Sequence, residues 1–391
     1  MAIPNTSSTL FSTNGHLHAD LGHHHIPHHH VNDTDVPELE VISMPTYMAI
    51  LNIILILGVL GNCLVFVAAS DSFIRKFSYS VFLRALAISD TLVLITICTE
   101  DNLDYANRLQ NFLASSVGLC KMWTGLSTTV SLLSPWLVVL LSVDRYVGVV
   151  FPLKRASYCT LKVAGISIAV MTAVVMITRI PDVVFNTVLP EDGIPRCHID
   201  IGSSSYIGYL QFSTIILAST IPCVLILGFN LRLLYALKKD VRLRLDVPEG
   251  VSLSSKVDRT TVSLMVVSAM AFLTLVPKTL LEVIELTWQV KYDKAEEAAL
   301  QMNQPKPVYP HGLLVANKTW PVLNLIYLMN FAQNFYILMF TSPRIRNVIR
   351  QKLCGRCCPL PEESAPIARM TLTHGVDGVR EEYALLAADE F

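Results

Sequence analysis

The sequence has few charged residues and no surplus of either sign. Only 16% of its 391 residues are charged, whereas 52% are hydrophobic, and soluble domains carry about a quarter charged residues. The 30 Lys and Arg residues are matched by 31 Asp and Glu residues. The chain therefore lacks the positive charge with which nucleic-acid-binding proteins neutralise phosphates, so nucleic acid is not an expected partner. The composition excludes an ordinary soluble protein and indicates a protein of the lipid bilayer.

The sequence also lacks the motifs of enzymes and of metal-binding domains. Its nine cysteines do not form two Cys-x-x-Cys pairs at zinc spacing. It contains no Walker-type glycine loop, no His-Glu-x-x-His and no Gly-x-Ser-x-Gly. We therefore expect no enzymatic activity, no cofactor and no metal centre of the zinc type.

The chain does contain seven apolar runs of the length that crosses a bilayer. A hydrocarbon core about 30 Å thick needs roughly 20 apolar residues per helix. We call these runs spans one to seven. They are predicted over about Pro45–Ala69, Tyr79–Thr99, Val117–Leu141, Leu161–Pro181, Tyr206–Leu231, Thr261–Leu286 and Trp320–Thr341. The predicted fold class is an all-α membrane protein, a seven-transmembrane helix bundle over residues 45–341.

The distribution of basic residues predicts the orientation of the bundle. With the N-terminus outside the cell, the inner segments carry 17 Lys and Arg residues and the outer segments carry eight. Short loops rich in basic residues remain in the cytoplasm. We therefore expect a multi-pass protein of the plasma membrane with a disordered extracellular tail over residues 1–44. Glycosylation sequons at Asn5 and Asn32 in this tail, and at Asn317 in the last outer loop, agree with this orientation.

The segment after span seven alternates basic and apolar residues. Residues 342–353 have the pattern of a short amphipathic helix that lies on the membrane surface. Cys354, Cys357 and Cys358 follow at a position suited to palmitoylation. Residues 354–391 are polar and acidic, which predicts a disordered cytoplasmic tail.

Short motifs within the spans carry a family resemblance over residues 45–353. Span three ends in Asp144-Arg145-Tyr146, and Cys120 stands 25 residues before Arg145. Further motif residues are Gly61 and Asn62 in span one, Asp90 in span two, Pro152 and Leu153 after span three, Pro222 in span five and Pro277 in span six. The set resembles the rhodopsin-like, or class A, family of G-protein-coupled receptors. A weaker second resemblance is to invertebrate FMRFamide-type neuropeptide receptors.

The resemblance implies roles for particular residues. It implies a disulfide between Cys120 and Cys197, and activation and coupling to a heterotrimeric G protein through Asp144, Arg145, Tyr146 and Asn334. Arrestin is a further candidate partner. By family spacing, Ser134, Asn330 and Asn334 converge on Asp90, and oxygen ligands of this kind suit an allosteric sodium ion. A polar network filled with water and holding no ion is the alternative.

Several positions depart from the family pattern. Leu275 stands where the family has a Trp two residues before the proline of span six, while Phe335 and Leu338 replace the Pro and Tyr of Asn-Pro-x-x-Tyr. Because Phe335 has the backbone N–H that proline lacks, we expect a straighter span seven there. Pro135 leaves a kink in span three open. These departures keep an atypical receptor without G-protein coupling as an alternative. A transporter is less favoured because the chain shows no internal duplication.

The outer ends of spans two and six are acidic, which suggests a type of ligand. Aminergic receptors have an Asp where this chain has Ser127, and opsins have a lysine where it has Leu328, so amines and covalent retinal are disfavoured. The expected ligand is a peptide with a cationic or amidated end, drawn by carboxylates and stacked on Trp123. The acidic residues are Glu100, Asp101, Asp104, Glu282 and Glu285, with Lys278 as a counter-charge. Alternatively, they solvate helix ends or pair with Arg108, Lys121 and Arg179.

Overall fold

The computed structural model describes residues 41–191, 194–199, 215–245, 259–302, 304, 305, 307, 308 and 310–354. Six of the described helices are long and apolar enough to cross a bilayer, and a bent pair makes up the seventh span. Spans one to four are Met44–Ala69, Ser78–Tyr105, Val117–Val150 and Leu161–Thr178. Span five is Ile221–Leu245 with a π-helical turn, Ile215–Thr220, before it; span six is Arg259–Gln301; and span seven is His311–Ala332 with Asn334–Thr341. The predicted fold class is confirmed.

Short elements connect the spans. The helices Ile74–Lys76, Leu109–Leu113, Pro152–Tyr158 and Ile180–Phe185 follow spans one, two, three and four, and Pro343–Cys354 follows span seven. Strands β1 (Asn186–Glu191) and β2 (Ile194–Ile199) form an antiparallel hairpin in which Val188 lies opposite Cys197. The end of the bundle that carries this hairpin is called the outer end below, and the opposite end is called the inner end.

Several spans differ in length from the prediction. Spans two, three and six continue as helix beyond their apolar runs, and span six reaches 43 residues, or about 65 Å. Hydropathy marks only the part of a helix that prefers lipid, so polar turns beyond the bilayer escape it. Span four is shorter than predicted: it ends at Thr178, and a separate helix with Pro181 in its first turn begins at Ile180.

The modification sites fall in different places. Asn317 lies inside the first helix of span seven and not in a loop, because that helix begins nine residues before Trp320. The helix after span seven ends at Cys354. Asn5, Asn32, Cys357 and Cys358 lie outside the described residues.

The described residues form three apolar clusters within the bundle, of which an inner one and an outer one are the largest. The inner cluster includes Val65, Leu141 and Leu338, and Ile345 and Ile349 of the final helix pack into it. The outer cluster is formed by residues from spans one, two, three, five, six and seven, among them Tyr47, Leu94, Val130, Cys223, Leu275 and Phe331. The compact unit that contains the bundle ends at Ile349, and Arg350 begins a second unit that is described only as far as Cys354.

A disulfide attaches the hairpin to span three. Cys120 near the start of span three is bonded to Cys197 of β2. The side chain of Gln110, in the short helix after span two, accepts a hydrogen bond from the Cys197 N–H at 3.2 Å. Gly125 allows the helix Ile180–Phe185 to approach span three, since a Cβ there would lie 2.5 Å from Val183. The outer end of the bundle is therefore covered by an anchored hairpin.

Span seven is bent, and the expectation of a straighter helix is wrong. Its two helices meet at Gln333 at an angle of 54°. The last backbone bond before the break runs from the Gln333 N–H to the Met329 carbonyl, and the first after it runs from Ile337 to Gln333. In the described chain the Phe331 carbonyl is not bonded to the Phe335 N–H, and it accepts from Asn62 Nδ2 at 3.0 Å.

Glycines in span one explain why the bend survives without proline. A Cβ on Gly61 would lie 3.0 Å from the Phe335 Cβ, and one on Gly58 would lie 2.9 Å from the Ala332 Cβ. Span one therefore packs directly against the break, where the Asn62 side chain provides the hydrogen bond that the helix has lost. Contacts between the two spans outweigh the local preference of Phe335 for a continuous helix.

We expect a proline at position 335 to be tolerated. Proline inside a helix usually costs about 3 kcal/mol or more because it removes a backbone hydrogen bond, but the Phe335 N–H makes no such bond within the described chain. Phe335→Pro should therefore match Phe335→Ala in thermal unfolding to within about 1 kcal/mol. Met329→Pro, in the regular part of the helix, should fall about 3 kcal/mol below Met329→Ala. Equal proline penalties at the two positions would contradict this account of the bend.

Candidate functional site

The carboxylates predicted at the outer end face a single ammonium group. Lys278 of span six interacts electrostatically with Glu282, Asp101, Glu285 and Glu100, in decreasing order. Its Nζ lies 4.0 Å from Glu282 Oε1. Glu100 and Glu285 are each only 7% exposed, and Asp104 interacts with Asp101 from the end of span two. The structure therefore gathers the acidic residues of spans two and six around Lys278, and this group of residues at the outer end is called the cleft below.

Aromatic residues bound this cleft on the side of span three. The Trp123 indole N–H donates to Glu100 Oε1 at 2.6 Å, and the Phe112 ring packs edge-on against Trp123 at 5.3 Å between centroids. Ser127 is buried one turn further into span three. Trp123 and Glu100 thus form a hydrogen-bonded pair.

A second set of polar groups extends the cleft to spans one and seven. The Tyr47 hydroxyl donates to Asp101 Oδ2 at 2.7 Å. Asn324 Nδ2 donates to the Tyr47 hydroxyl at 2.7 Å and to Asp101 at 3.3 Å. Lys278 Nζ donates to Asn324 Oδ1 at 3.4 Å and lies 3.8 Å from the centroid of the Tyr327 ring. Four spans therefore share one buried network.

Sequence reasoning missed Tyr47, Asn324 and Tyr327. An Asn within an apolar span is itself a signal, because polar groups in a membrane need partners. Tyr47 has the pattern of an ordinary interfacial aromatic residue, and its role depends on Asp101, 54 residues away in the chain. No local pattern marks that contact.

The three basic residues considered as alternative partners for the cleft carboxylates have different surroundings. Lys121 donates to the Val184 carbonyl at 2.7 Å, and Arg108 is exposed. Arg179 pairs with Asp182 at 3.3 Å just beyond span four. Burial raises the pKa of the Asp182 carboxyl and lowers the pKa of the Arg179 guanidinium, because both charges lose hydration there. This pair therefore joins the end of span four to the short helix Ile180–Phe185.

The middle of the bundle contains the polar group predicted around Asp90. The Asp90 carboxylate is buried and accepts hydrogen bonds from the Ser134 hydroxyl and from Asn334 Nδ2, the latter at 2.7 Å. Asn330 Oδ1 accepts instead from the Thr274 hydroxyl at 3.3 Å. Ser134 and Asn334 thus lie on Asp90, and Asn330 is turned toward span six.

Arg145 is held at the inner end by groups of spans two and three. Its guanidinium donates to Asp144 Oδ2 at 3.1 and 2.5 Å and to the Ser78 hydroxyl at 3.4 Å. It also lies 4.9 Å from the centroid of the Tyr79 ring, and Ser78 donates to Asp144 at 3.0 Å. The neighbouring Tyr146 ring packs against Phe229 of span five instead. By family spacing, Asp258 just before span six is a candidate acidic partner for Arg145, and it lies outside the described residues.

Neither Ser78 nor Tyr79 was expected from sequence. Both lie at the start of span two, next to the predicted boundary, where a hydroxyl or an aromatic ring is ordinary. Their contact with Arg145 appears only when spans two and three pack together. The arrangement is a closed inner clasp in which one guanidinium contacts a carboxylate, a hydroxyl and an aromatic ring.

Comparison with known proteins supports the same assignment. The family model described as 7 transmembrane receptor (rhodopsin family) matches residues 61–304. The C-C chemokine receptor type 8 of Mus musculus is 32% identical over 39% of this chain and 42% of the receptor. The type-1 angiotensin II receptor B of Rattus norvegicus is 26% identical over 54% of the chain and 58% of the receptor. The chain thus spans about half the length of these two relatives.

A longer match extends over most of the bundle. The somatostatin receptor type 4 of Rattus norvegicus is 25% identical over 81% of this chain and 75% of that receptor. The matched family is one of receptors and not of enzymes. Because the family model covers more than half of the chain, from within span one to the end of span six, this chain belongs to the rhodopsin family of seven-transmembrane receptors.

Proposed function

We propose that the chain is a plasma-membrane receptor that binds a peptide with a cationic or amidated end in its outer cleft and activates a heterotrimeric G protein at its inner end. The observation that carries the ligand proposal is the cleft itself, in which one ammonium interacts with four carboxyl groups. A partly buried acidic cleft attracts cations and speeds their capture. A guanidinium or a terminal amide of a peptide has N–H groups that can donate hydrogen bonds to these carboxylates.

The remaining features favour a peptide over an amine and support the orientation. The relatives include receptors for varied peptides and for amines at low identity. Ser127 supplies no carboxylate where aminergic receptors have Asp, so the acidic groups of this chain lie nearer the outer mouth. The disulfide of the outer end requires an oxidising compartment. This supports the proposal that the outer end and the N-terminus lie outside the cell.

The test is a screen of amidated neuropeptides against cells that express the full chain, read by G-protein dissociation and by arrestin recruitment. With an active peptide, Glu100→Gln and Glu282→Gln should each lower potency roughly tenfold or more, because each removes a charged acceptor worth about 1.5–3 kcal/mol. Glu296→Gln, on the same helix as Glu282 but nearly four turns further out, is the matched control. Unchanged potency in both cleft variants, with normal surface expression, would exclude this cleft as the ligand site.

A second candidate function is a receptor that recruits arrestin without activating a G protein. It is favoured by Leu275, which is buried in the outer cluster where the family has a Trp. The same screen separates the two, since arrestin recruitment without G-protein dissociation supports this candidate.

The covalent modifications stay predictions. Acylation is predicted at Cys354, Cys357 and Cys358 and can be checked by acyl exchange. Glycans are predicted at Asn5, Asn32 and Asn317 and can be checked by glycosidase gel shifts.

We infer in addition that Asp90 binds sodium. The Asp90 carboxylate and the Ser134 hydroxyl present oxygen ligands of the kind a hard cation takes, while Asn334 presents its N–H to Asp90. Sodium chloride should therefore stabilise the receptor against heat by about 1.4 kcal/mol at tenfold saturation, and choline chloride should not. Asp90→Asn should abolish the difference. Equal effects of the two salts on the unsubstituted receptor would favour a water-filled network.

A further inference from the structure

The lysine that follows the proline of span six points toward span seven. Lys278 comes directly after Pro277, which lies inside the helix. Its side chain is 17% exposed, and its ammonium lies over the Tyr327 ring and within hydrogen-bonding distance of Asn324. A cation over an aromatic face is attracted to the ring. The ammonium therefore ties span six to span seven beside the only proline of span six.

The partner of Lys278 in span seven is itself fixed by spans one and two. Both N–H groups of the Asn324 amide are used, toward the Tyr47 hydroxyl and toward Asp101, so its oxygen faces Lys278. A buried amide with all of its groups engaged cannot turn without losing several hydrogen bonds at once. Lys278 is thus held against an oriented acceptor and not against a mobile side chain.

The contact of the ammonium with Glu282 is loose. Glu282 Oε1 is 4.0 Å away, and the Glu282 side chain is 27% exposed. A cation that enters the cleft competes with Lys278 for Glu282 and Asp101 and repels its ammonium. Two residues before Pro277 the chain has Leu275 instead of a tryptophan, and Leu275 packs in the outer apolar cluster. Lys278 is thus a charged residue of span six that interacts both with the cleft carboxylates and with Asn324 of span seven.

We propose that Lys278 is an internal counter-cation that restrains span six against span seven until a ligand cation displaces it. The inference rests on the proposed function and names the residue through which a cation in the cleft acts on the bundle. Lys278 is therefore a positioning residue, and the release of its ammonium from Tyr327 and Asn324 favours the signalling state. Ligand-free signalling reports this restraint even before a peptide is known.

The test uses the full chain without ligand and compares charge removal at two lysines of span six. Lys278→Gln should raise ligand-free G-protein activation about threefold at equal surface level, since a weakened restraint shifts a two-state equilibrium. Lys278→Arg, which keeps a cation over the ring, should behave as the unsubstituted chain. Lys291→Gln is the matched control, because Lys291 is exposed and stacks on Trp288 of its own helix. Tyr327→Leu should act as Lys278→Gln does, and Tyr327→Phe, which keeps the ring, should not.

A distance measurement makes the inference independent of G-protein coupling. Nitroxide labels attached through genetically encoded ketone residues at Ser72 and Val262, both exposed at the inner end, report the separation of span six from the segment after span one. Lys278→Gln and Tyr327→Leu should add a new distance population of roughly a tenth or more. If this population appears without a change in signalling, the result supports the restraint and contradicts the proposed activation of a G protein.

Two outcomes would overturn the proposal. In the first, Lys278→Gln and Tyr327→Leu both give the same ligand-free signalling and the same distance distribution as Lys291→Gln. The other is Lys278→Arg raising signalling and adding the new distance population as strongly as Lys278→Gln, since the positive charge would then not be the restraint. If Lys278→Gln fails to reach the surface, Tyr327→Leu decides, because it leaves the charge in place.

Discussion

Arg145→Ala should reach the cell surface at normal levels and lose signalling by an order of magnitude or more. The guanidinium is held at the inner end by Asp144, Ser78 and the Tyr79 ring, all within the bundle. A group held in this way is available for a partner only when the clasp opens, and a two-state helix bundle supplies that opening. The Ser78 hydroxyl still donates to Asp144 in the variant, which limits the cost to folding. Surface labelling and G-protein dissociation measured in the same cells give the result.

A control and a reciprocal variant sharpen the Arg145 prediction. Arg155→Ala removes an exposed basic residue from the short helix after span three, and it should leave more signalling than Arg145→Ala does. Asp144→Asn keeps Arg145 and removes its carboxylate partner, so ligand-free signalling should rise. Signalling at full strength from Arg145→Ala would show that the clasp is structural and that the inner end works through other residues.

Cys120→Ser should lower stability by about 2–5 kcal/mol and leave most of the receptor inside the cell. The bond joins residues 77 positions apart, and removal of a native disulfide carries a cost of this size. It also frees the hairpin that covers the outer end from span three. The measurements are the surface fraction by antibody labelling and thermal unfolding of purified receptor.

Single and double variants separate loss of the bond from loss of the side chains. Cys197→Ser should match Cys120→Ser, and the double variant should be no worse than either, because all three lack the same bond. Cys63→Ser, at an exposed free cysteine in span one, is the control and should be near neutral. Normal surface levels of Cys120→Ser would contradict the prediction.

The features that sequence reasoning recovered are those that single positions carry. Long apolar runs identify spans because transfer of each run into lipid depends on its own composition. A carboxylate such as Asp90 inside a run predicts partners for the same reason, and two of the three expected side chains lie on it. The acidic residues of spans two and six were likewise found from charge alone, and the structure gathers them around Lys278.

The errors have a common physical cause. Phe335 favours a continuous helix by its own backbone N–H, yet span seven breaks there because Asn62 and two glycines of span one lie against it. Asn317 was expected in a loop, but the helix of span seven extends past its apolar run. In both cases the local signal was read correctly, but it reports neither contacts with another span nor the part of a helix that lies beyond its apolar run.

The sequence by itself determined the class of protein, the number of spans and the identity of the charged residues within them, since hydropathy and charge belong to each segment alone. Only the tertiary structure decided the bend of span seven and the network that joins Lys278, Asn324, Asp101 and Tyr47. The contacts responsible link residues 269 positions apart for Asn62 and Phe331 and 277 apart for Tyr47 and Asn324. Buried polar groups must find partners wherever the packed helices provide them, and that choice is made by packing between spans.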